Sequence, residues 1–167
     1  MRPTTPQAEF DAKIAGVSEI NWARLAAYID GEGTIMIART KTNKGTKQPM
    51  YVLTLIVANT DLRLIRWLSN TFTGQSYFSH SESQRKWSKK TCHSWRLFEK
   101  RAAVVLEHCL PYLIIKRDQA DIGLAYRALR DLGSKGRKLT LVDISEREGF
   151  RSAIRSLNGS KHEEGTV

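Results

Sequence analysis

Two carboxylates, Asp30 and Glu32, alternate with Gly31 and Gly33 in the run Leu25-Ala26-Ala27-Tyr28-Ile29-Asp30-Gly31-Glu32-Gly33. Upstream, Trp22, Leu25, Ala26 and Ile29 recur at helical spacing. The glycines should close that helix, because glycine tolerates the left-handed backbone of a C-cap. Both acids then fall at a helix C-terminus, where each opposes the macrodipole at a cost of ~0.3–1 kcal/mol. Backbone carbonyls point outward from the same turn. Carboxylates and carbonyls together form an oxygen-rich site suited to a hard divalent cation such as Mg²⁺. An ordinary solvated acidic turn has the same residue types, so on these residues alone both readings stand.

The elements that position this turn follow from the rest of the pattern. Residues 1–17 are polar and mixed and predict a flexible N-terminal arm. A helix starts at Ser18 or Asn21. Thr34–Thr40 alternates as a strand, and Met50–Ala58 is a second one rich in β-branched and aliphatic residues. Asp61 starts a helix in which Leu62, Ile65, Leu68 and Phe72 repeat, and Gly74 stops it. Gln75–Ser81 and Thr91–Phe98 form another strand pair. Glu99–Cys109 is a helix ended by Pro111, and Ile115–Leu132 is another. Gly133–Lys138 is a basic linker, Thr140–Leu157 a final helix, and 159–167 a disordered tail. The chain therefore divides into the arm, a core over 18–132, a linker with C-terminal helix over 133–158, and the tail. The class is α+β: an antiparallel sheet with helices on one face, leaving the other face free.

Composition narrows the partners. The chain has 167 residues, 27 Lys+Arg against 17 Asp+Glu and a net charge of +10, which points to a polyanion. At 41% hydrophobic residues there is enough apolar material for a core, and no apolar run is long enough for a membrane span. Only Cys92 and Cys109 are present, which excludes a disulfide scaffold and suits a reducing, intracellular setting. Cys92-His93 and His108-Cys109 lack zinc-site spacing.

The segment Leu25–Gly33 resembles the signature motif of the LAGLIDADG homing endonucleases. Its flanks agree. Thr34-Ile35-Met36-Ile37 follows as a strand. Val57-Ala58-Asn59-Thr60-Asp61 resembles the family's end of the second strand, and Leu110-Pro111-Tyr112-Leu113-Ile114-Ile115-Lys116-Arg117 its proline–leucine–lysine segment. The resemblance covers roughly 18–132 and implies the αββαββα homing-endonuclease fold, a saddle-like antiparallel sheet, with a C-terminal helix added. It implies site-specific cleavage of both strands of double-stranded DNA at a long, pseudo-palindromic target, leaving short 3′ overhangs, with Mg²⁺ as cofactor, Mn²⁺ able to substitute, and Ca²⁺ binding without supporting cleavage. A single motif copy implies a homodimer, with Trp22, Ala23, Ala26, Ala27 and Asp30 of the motif helices at the twofold axis.

Residue by residue, the resemblance makes Glu32 the metal ligand, in a position where Asp is usual, with the Gly31 carbonyl as a backbone ligand. Asn59 matches the polar residue that helps hold the attacking water, commonly a longer Gln. Arg63 and Lys116 match basic residues of the catalytic pocket, where a lysine near phosphate stabilises developing negative charge. On the free sheet face, alternation exposes Thr34, Met36, Ala38 and Thr40, then Thr54. Tyr77, Ser79 and Ser81 would follow on the third strand, and Ser94 and Arg96 on the fourth. Loop cations Lys41, Lys44 and Lys47, with Arg85, Lys86 and Lys89, would contact phosphates. The alternative function is a non-cleaving nucleic-acid-binding protein on the same scaffold, either an RNA maturase (splicing cofactor) or a DNA-binding regulator. A chain starting at Met1 without splice-junction features fits an intron-encoded or free-standing gene.

Overall fold

The computed structural model describes residues 6–40, 48–79, 91–132 and 138–159. In chain order they form α1 (Pro6–Ala15), α2 (Glu19–Glu32), β1 (Gly33–Thr40), β2 (Met50–Asn59), α3 (Leu62–Phe72), β3 (Gln75–Ser79), β4 (Cys92–Phe98), α4 (Glu99–Cys109), a 3₁₀ turn (Leu110–Tyr112), α5 (Arg117–Leu132) and α6 (Leu141–Gly159). The loops holding Lys41, Lys44, Lys47, Ser81, Arg85, Lys86 and Lys89 lie outside the described residues.

The strands form one antiparallel sheet in the order β1-β2-β4-β3. Alternation sorts their side chains as expected. Ile35 and Ile37, with Leu53, Leu55 and Val57, point into the helix layer beside Trp95 and Leu97, all at most 3% exposed. The helices supply Leu25, Ala26, Ile29, Ile65, Leu68, Phe72, Val105 and Leu106 to the same core. In α3, the Asp61 side chain caps the helix by accepting from the Arg63 N–H at 2.9 Å.

Two features differ from the sequence expectation. The predicted N-terminal arm contains a helix: α1 buries Phe10 and Ile14, four residues apart, and Arg101 holds it by lying over the Phe10 ring and donating to the Pro6 carbonyl at 2.7 Å. Two anchors in ten residues give little periodicity to read. The end of α2 also differs. Gly33 has φ −85°, extended rather than left-handed. Glycine is needed there because a Cβ would lie 2.6 Å from both the Ile29 Cα and its carbonyl oxygen. This close approach lets β1 leave the helix with no intervening loop.

Helix α6 lies along β1, one of the sheet's two edge strands. Asn158 donates to the Ile35 carbonyl at 3.0 Å, Tyr51 donates to Glu148 at 2.8 Å, and the Gln48 amide makes two 2.9 Å bonds with the Leu139 backbone.

The Gly33 contact predicts a contrast. Gly33→Ala should destabilise the fold by about 1–3 kcal/mol through overpacking. Gly31→Ala, which meets nothing within 4 Å, should leave Tm unchanged or raised. Thermal melts of the two variants check this, and equal melting would refute the tight junction.

Candidate active site

The junction of α2 and β1 sets the acidic turn on the rim of the sheet. Leu25, Ala26 and Ile29 are fully buried and pin the helix, while Gly31 and Glu32 are exposed at its end. Among the described residues the Glu32 carboxylate has no hydrogen-bond or ion-pair partner. Register places Gly33 opposite Val57 and Asn59 opposite His93, so Asn59 emerges at the same rim.

Asp30 is half-buried. Its carboxylate accepts the backbone N–H groups of Ile114 (2.8 Å), Ile115 (3.1 Å) and Lys116 (2.8 Å). Lys116 sits immediately before α5, and its ammonium donates to the Asp30 carbonyl at 2.6 Å. A positive group at a helix C-terminus is favourably placed. Lys116 is thus brought to the end of the helix that carries Glu32.

Asn59 and Arg63 meet around a cleft of about 460 Å³, lined also by Arg24, Tyr28, Asp61 and Trp67. The Asn59 side-chain oxygen accepts the Asp61 N–H at 2.8 Å in a local turn. Arg63, expected as a basic residue of the catalytic pocket, is forked onto Asp61, with Nη2 2.5 Å from the carboxylate. The reason is local: the capping acid lies two residues before the arginine. Sequence reasoning missed Arg24, Tyr28 and Trp67. Arg24 lies over the Trp67 ring at 4.9 Å and Tyr28 is 5.9 Å from it. The available signal was the shared four-residue step, Arg24 to Tyr28 on α2 and Arg63 to Trp67 on α3.

The free sheet face is a set of cross-strand rows. Thr34, Ile56, Arg96 and Gln75 form one row; Met36, Thr54 and Phe98 form the next. Thr34, Met36, Ala38 and Arg96 are half-exposed and Thr40 is exposed. Thr54 and Ser94 are corrections, since each is only 4% exposed. They lie on the two central strands, where neighbouring side chains cover them. Thr54 bonds the Val52 carbonyl at 3.3 Å, and Ser94 accepts from Arg96 Nε at 3.2 Å. Tyr77 and Ser79 occupy β3 opposite Ser94 and Cys92.

The expected dimer face is also corrected in part. Trp22 and Ala26 are 6% and 0% exposed within this chain. Trp22 stacks on His108 at 4.5 Å and packs against Phe72, and Asp30 is occupied by the 114–116 backbone. The open stripe of α2 consists instead of Ile20, Arg24, Ala27 and Gly31, with Ala23 half-buried beside it.

A four-stranded antiparallel sheet, one helix layer and an acidic helix end on its rim define the fold of the LAGLIDADG homing endonucleases. The structure is similar to that of the homing endonuclease I-CvuI, solved with a DNA target in 2 mM Mg with the DNA not cleaved (TM-score 0.65, 16% identity, 89% of this chain and 87% of that one). It is similar to the archaeal intron-encoded homing endonuclease I-Vdi141I in complex with DNA (0.67, 8%, 89% and 90%). It also matches the LAGLIDADG homing endonuclease I-GzeII bound to its DNA target (0.60, 16%), covering 83% of this chain but 45% of that one. The sequence matches no protein-family model and no curated protein.

The Asp61–Arg63 pair gives a pH prediction. The side-chain bonds from Arg63, then its backbone N–H, lower the Asp61 pKa from 3.8 to about 2. A depressed carboxyl pKa stabilises the fold above pH 3.8, and that contribution is lost as pH falls towards about 2. NMR titration should find the Asp61 midpoint near 2 and move it upward in Arg63→Gln. An unmoved midpoint would remove Arg63 as the cause.

Proposed function

We propose that the protein is a metal-dependent, site-specific DNA endonuclease that acts as a homodimer on a long, pseudo-palindromic duplex and leaves short 3′ overhangs. The observation that carries this reading is Glu32, exposed and without a partner among the described residues, on the helix end that also receives Lys116. An acid left in solvent at the disfavoured end of a helix is favourably placed to receive a cation.

The donor set suits Mg²⁺. Glu32 offers a hard carboxylate oxygen and Gly31 a backbone carbonyl; both residues are exposed, and Mg²⁺ commonly takes few protein ligands, filling its shell with water and phosphate oxygens. When bound, such an ion would stabilise charge on the scissile phosphate and on the leaving 3′-oxygen. The chain's own groups do the remaining work. The Lys116 ammonium, at the same terminus, offsets negative charge that develops on the phosphate. The side-chain amide nitrogen of Asn59 supplies donors that can hold water at the rim. Arg63 reaches the phosphate only by leaving or sharing Asp61, and the two remain close enough to do either. Thr34, Met36, Ala38, Thr40 and Arg96 meet base edges in the major groove, which admits a two-stranded ribbon. The basic loops supply salt-dependent affinity for the backbone.

Two copies are supported by the exposed stripe on α2; as to length, this chain spans most of I-CvuI and I-Vdi141I and 45% of I-GzeII. Ile20, 71% exposed, and the small residues Ala23, Ala27 and Gly31 recur at steps of three and four along α2, a stripe that allows close helix pairing. Pairing there brings two Glu32 turns together, one for each strand.

The test is cleavage of sites selected from a randomised DNA library in Mg²⁺, with Mn²⁺ as substitute and Ca²⁺ as a binding-only arm. Glu32→Gln should lower cleavage at least ~100-fold while DNA affinity in Ca²⁺ is retained. Cleavage at the normal rate would refute the cation role; binding without cleavage by the unaltered protein would favour the binding-module reading. Sedimentation of the DNA complex should show two chains per duplex, and Ala27→Glu should reduce this to one with loss of double-strand cutting. A wild-type complex containing one chain per duplex defeats the homodimer.

A further inference from the structure

We propose that Asp30 is a positioning residue for Lys116: its carboxylate fastens the 114–116 backbone to the end of α2, so that the ammonium and the Glu32 turn are set by one helix terminus. The proposal rests on the reading of Lys116 and Glu32 as reaction groups.

Local electrostatics cannot account for Asp30, since a carboxylate in the last turn of a helix opposes the macrodipole. What offsets that cost is a set of three N–H groups on consecutive residues, Ile114, Ile115 and Lys116, within 2.8–3.1 Å of its two oxygens. These groups precede α5, so the carboxylate joins the negative end of α2 to the positive end of α5. Burial does not hold this segment: Ile114 is 86% exposed and Ile115 62%. Their hydrogen bonds to Asp30 are therefore its main restraint between the buried Leu113 and the start of α5.

The two residues are linked twice, in opposite directions. The Lys116 N–H donates to the Asp30 carboxylate, and the Lys116 ammonium donates to the Asp30 backbone carbonyl at 2.6 Å. The first bond fixes where the lysine's backbone lies; the second fixes where its long side chain ends. A lysine side chain otherwise samples many rotamers, so a closed ring of this kind removes most of its freedom to point elsewhere. Glu32 is two residues further along the same helix. A shift of the 114–116 segment thus changes the separation of ammonium and carboxylate directly. Asp30 touches no reacting atom; it acts through Lys116.

The experiment uses the full chain and three variants: Asp30→Asn, Lys116→Met and their combination. Amide hydrogen exchange is read without DNA, and single-turnover cleavage and Ca²⁺-supported DNA affinity are read with the selected duplex. In Asp30→Asn, exchange at Ile114, Ile115 and Lys116 should rise about tenfold or more, with α2 and β1 unchanged. Its cleavage rate should fall about 10- to 100-fold with affinity within about twofold. In the Lys116→Met background, Asp30→Asn should cost little more, because the two act as one unit. Asp30→Glu keeps the charge and should recover part of both protection and rate; it also serves if Asp30→Asn fails to fold. Unchanged exchange at the three amides overturns the proposal. So does an additive loss in the double variant while Lys116→Met alone is slow, which leaves the nuclease reading intact. Normal cleavage by Lys116→Met overturns the positioning role and the assignment of Lys116 together.

Discussion

The architecture depends on one close approach, that of Gly33 to the backbone of Ile29. With no side chain at residue 33 the strand begins where the helix ends, and Ile29, wholly buried, fixes that point in the core. Two consequences follow. The acidic turn cannot swing on a loop, since α2 and β1 bound it directly. It is also forced onto the sheet rim, because Gly33 is already paired opposite Val57. Asp30 and Glu32 thus share an electrostatically poor position and resolve it differently. Asp30 finds three N–H donors from a distant segment; Glu32, with no partner among the described residues, faces solvent. That asymmetry separates a structural acid from one available to a ligand.

Much of this was legible because the sheet obeys period two. Ile35, Ile37, Leu53, Leu55, Val57, Trp95 and Leu97 all point as alternation requires. Helix α3 begins at Asp61 because capping chemistry is local, and Glu99–Cys109 is the observed α4. What escaped the sequence was set by neighbours rather than by pattern. Alternation assigns Thr54 and Ser94 to the free face but not their depth, which central strands decide. Helical spacing marks Trp22 and Ala26 as one side of α2, yet packing against β2, α4 and the 3₁₀ turn consumes that side. The partners of Asp30 lie 84–86 residues away, beyond any local signal. Arg63 is the opposite case: its partner is two residues upstream, but spacing alone does not show that a capping carboxylate will also take the guanidinium.

The turn from β4 into α4 shows where strain is tolerated. Glu99 has φ 51°, unusual for a residue with a side chain. Its carboxylate receives Arg127 at 2.8 Å and Arg130 at 2.5 Å, both from α5. All three are largely shielded from solvent, so these pairs are stronger than exposed ones and hold the sharp turn in place. The same contacts align α5, whose first residues follow the Lys116 segment. Order at the rim thus has two supports, the Asp30 bonds at the front of α5 and the Glu99 fork further along it.

Sheet edges constrain how such a chain can associate. An open edge strand invites pairing with another strand. Here α6 runs along β1, with Asn158 occupying the Ile35 carbonyl and the Tyr51–Glu148 and Gln48–Leu139 bonds fastening its other end. Strand addition at β1 would have to displace these bonds and the contacts behind them, including the packing of Phe150 against Tyr126. Among the described residues the α2 stripe carries no such cover. Its small residues let backbones approach, and Ile114 and Ile115, exposed and tied to Asp30, extend apolar surface beside it. The β1 edge is therefore closed to strand addition, and β3 is the sheet's other edge.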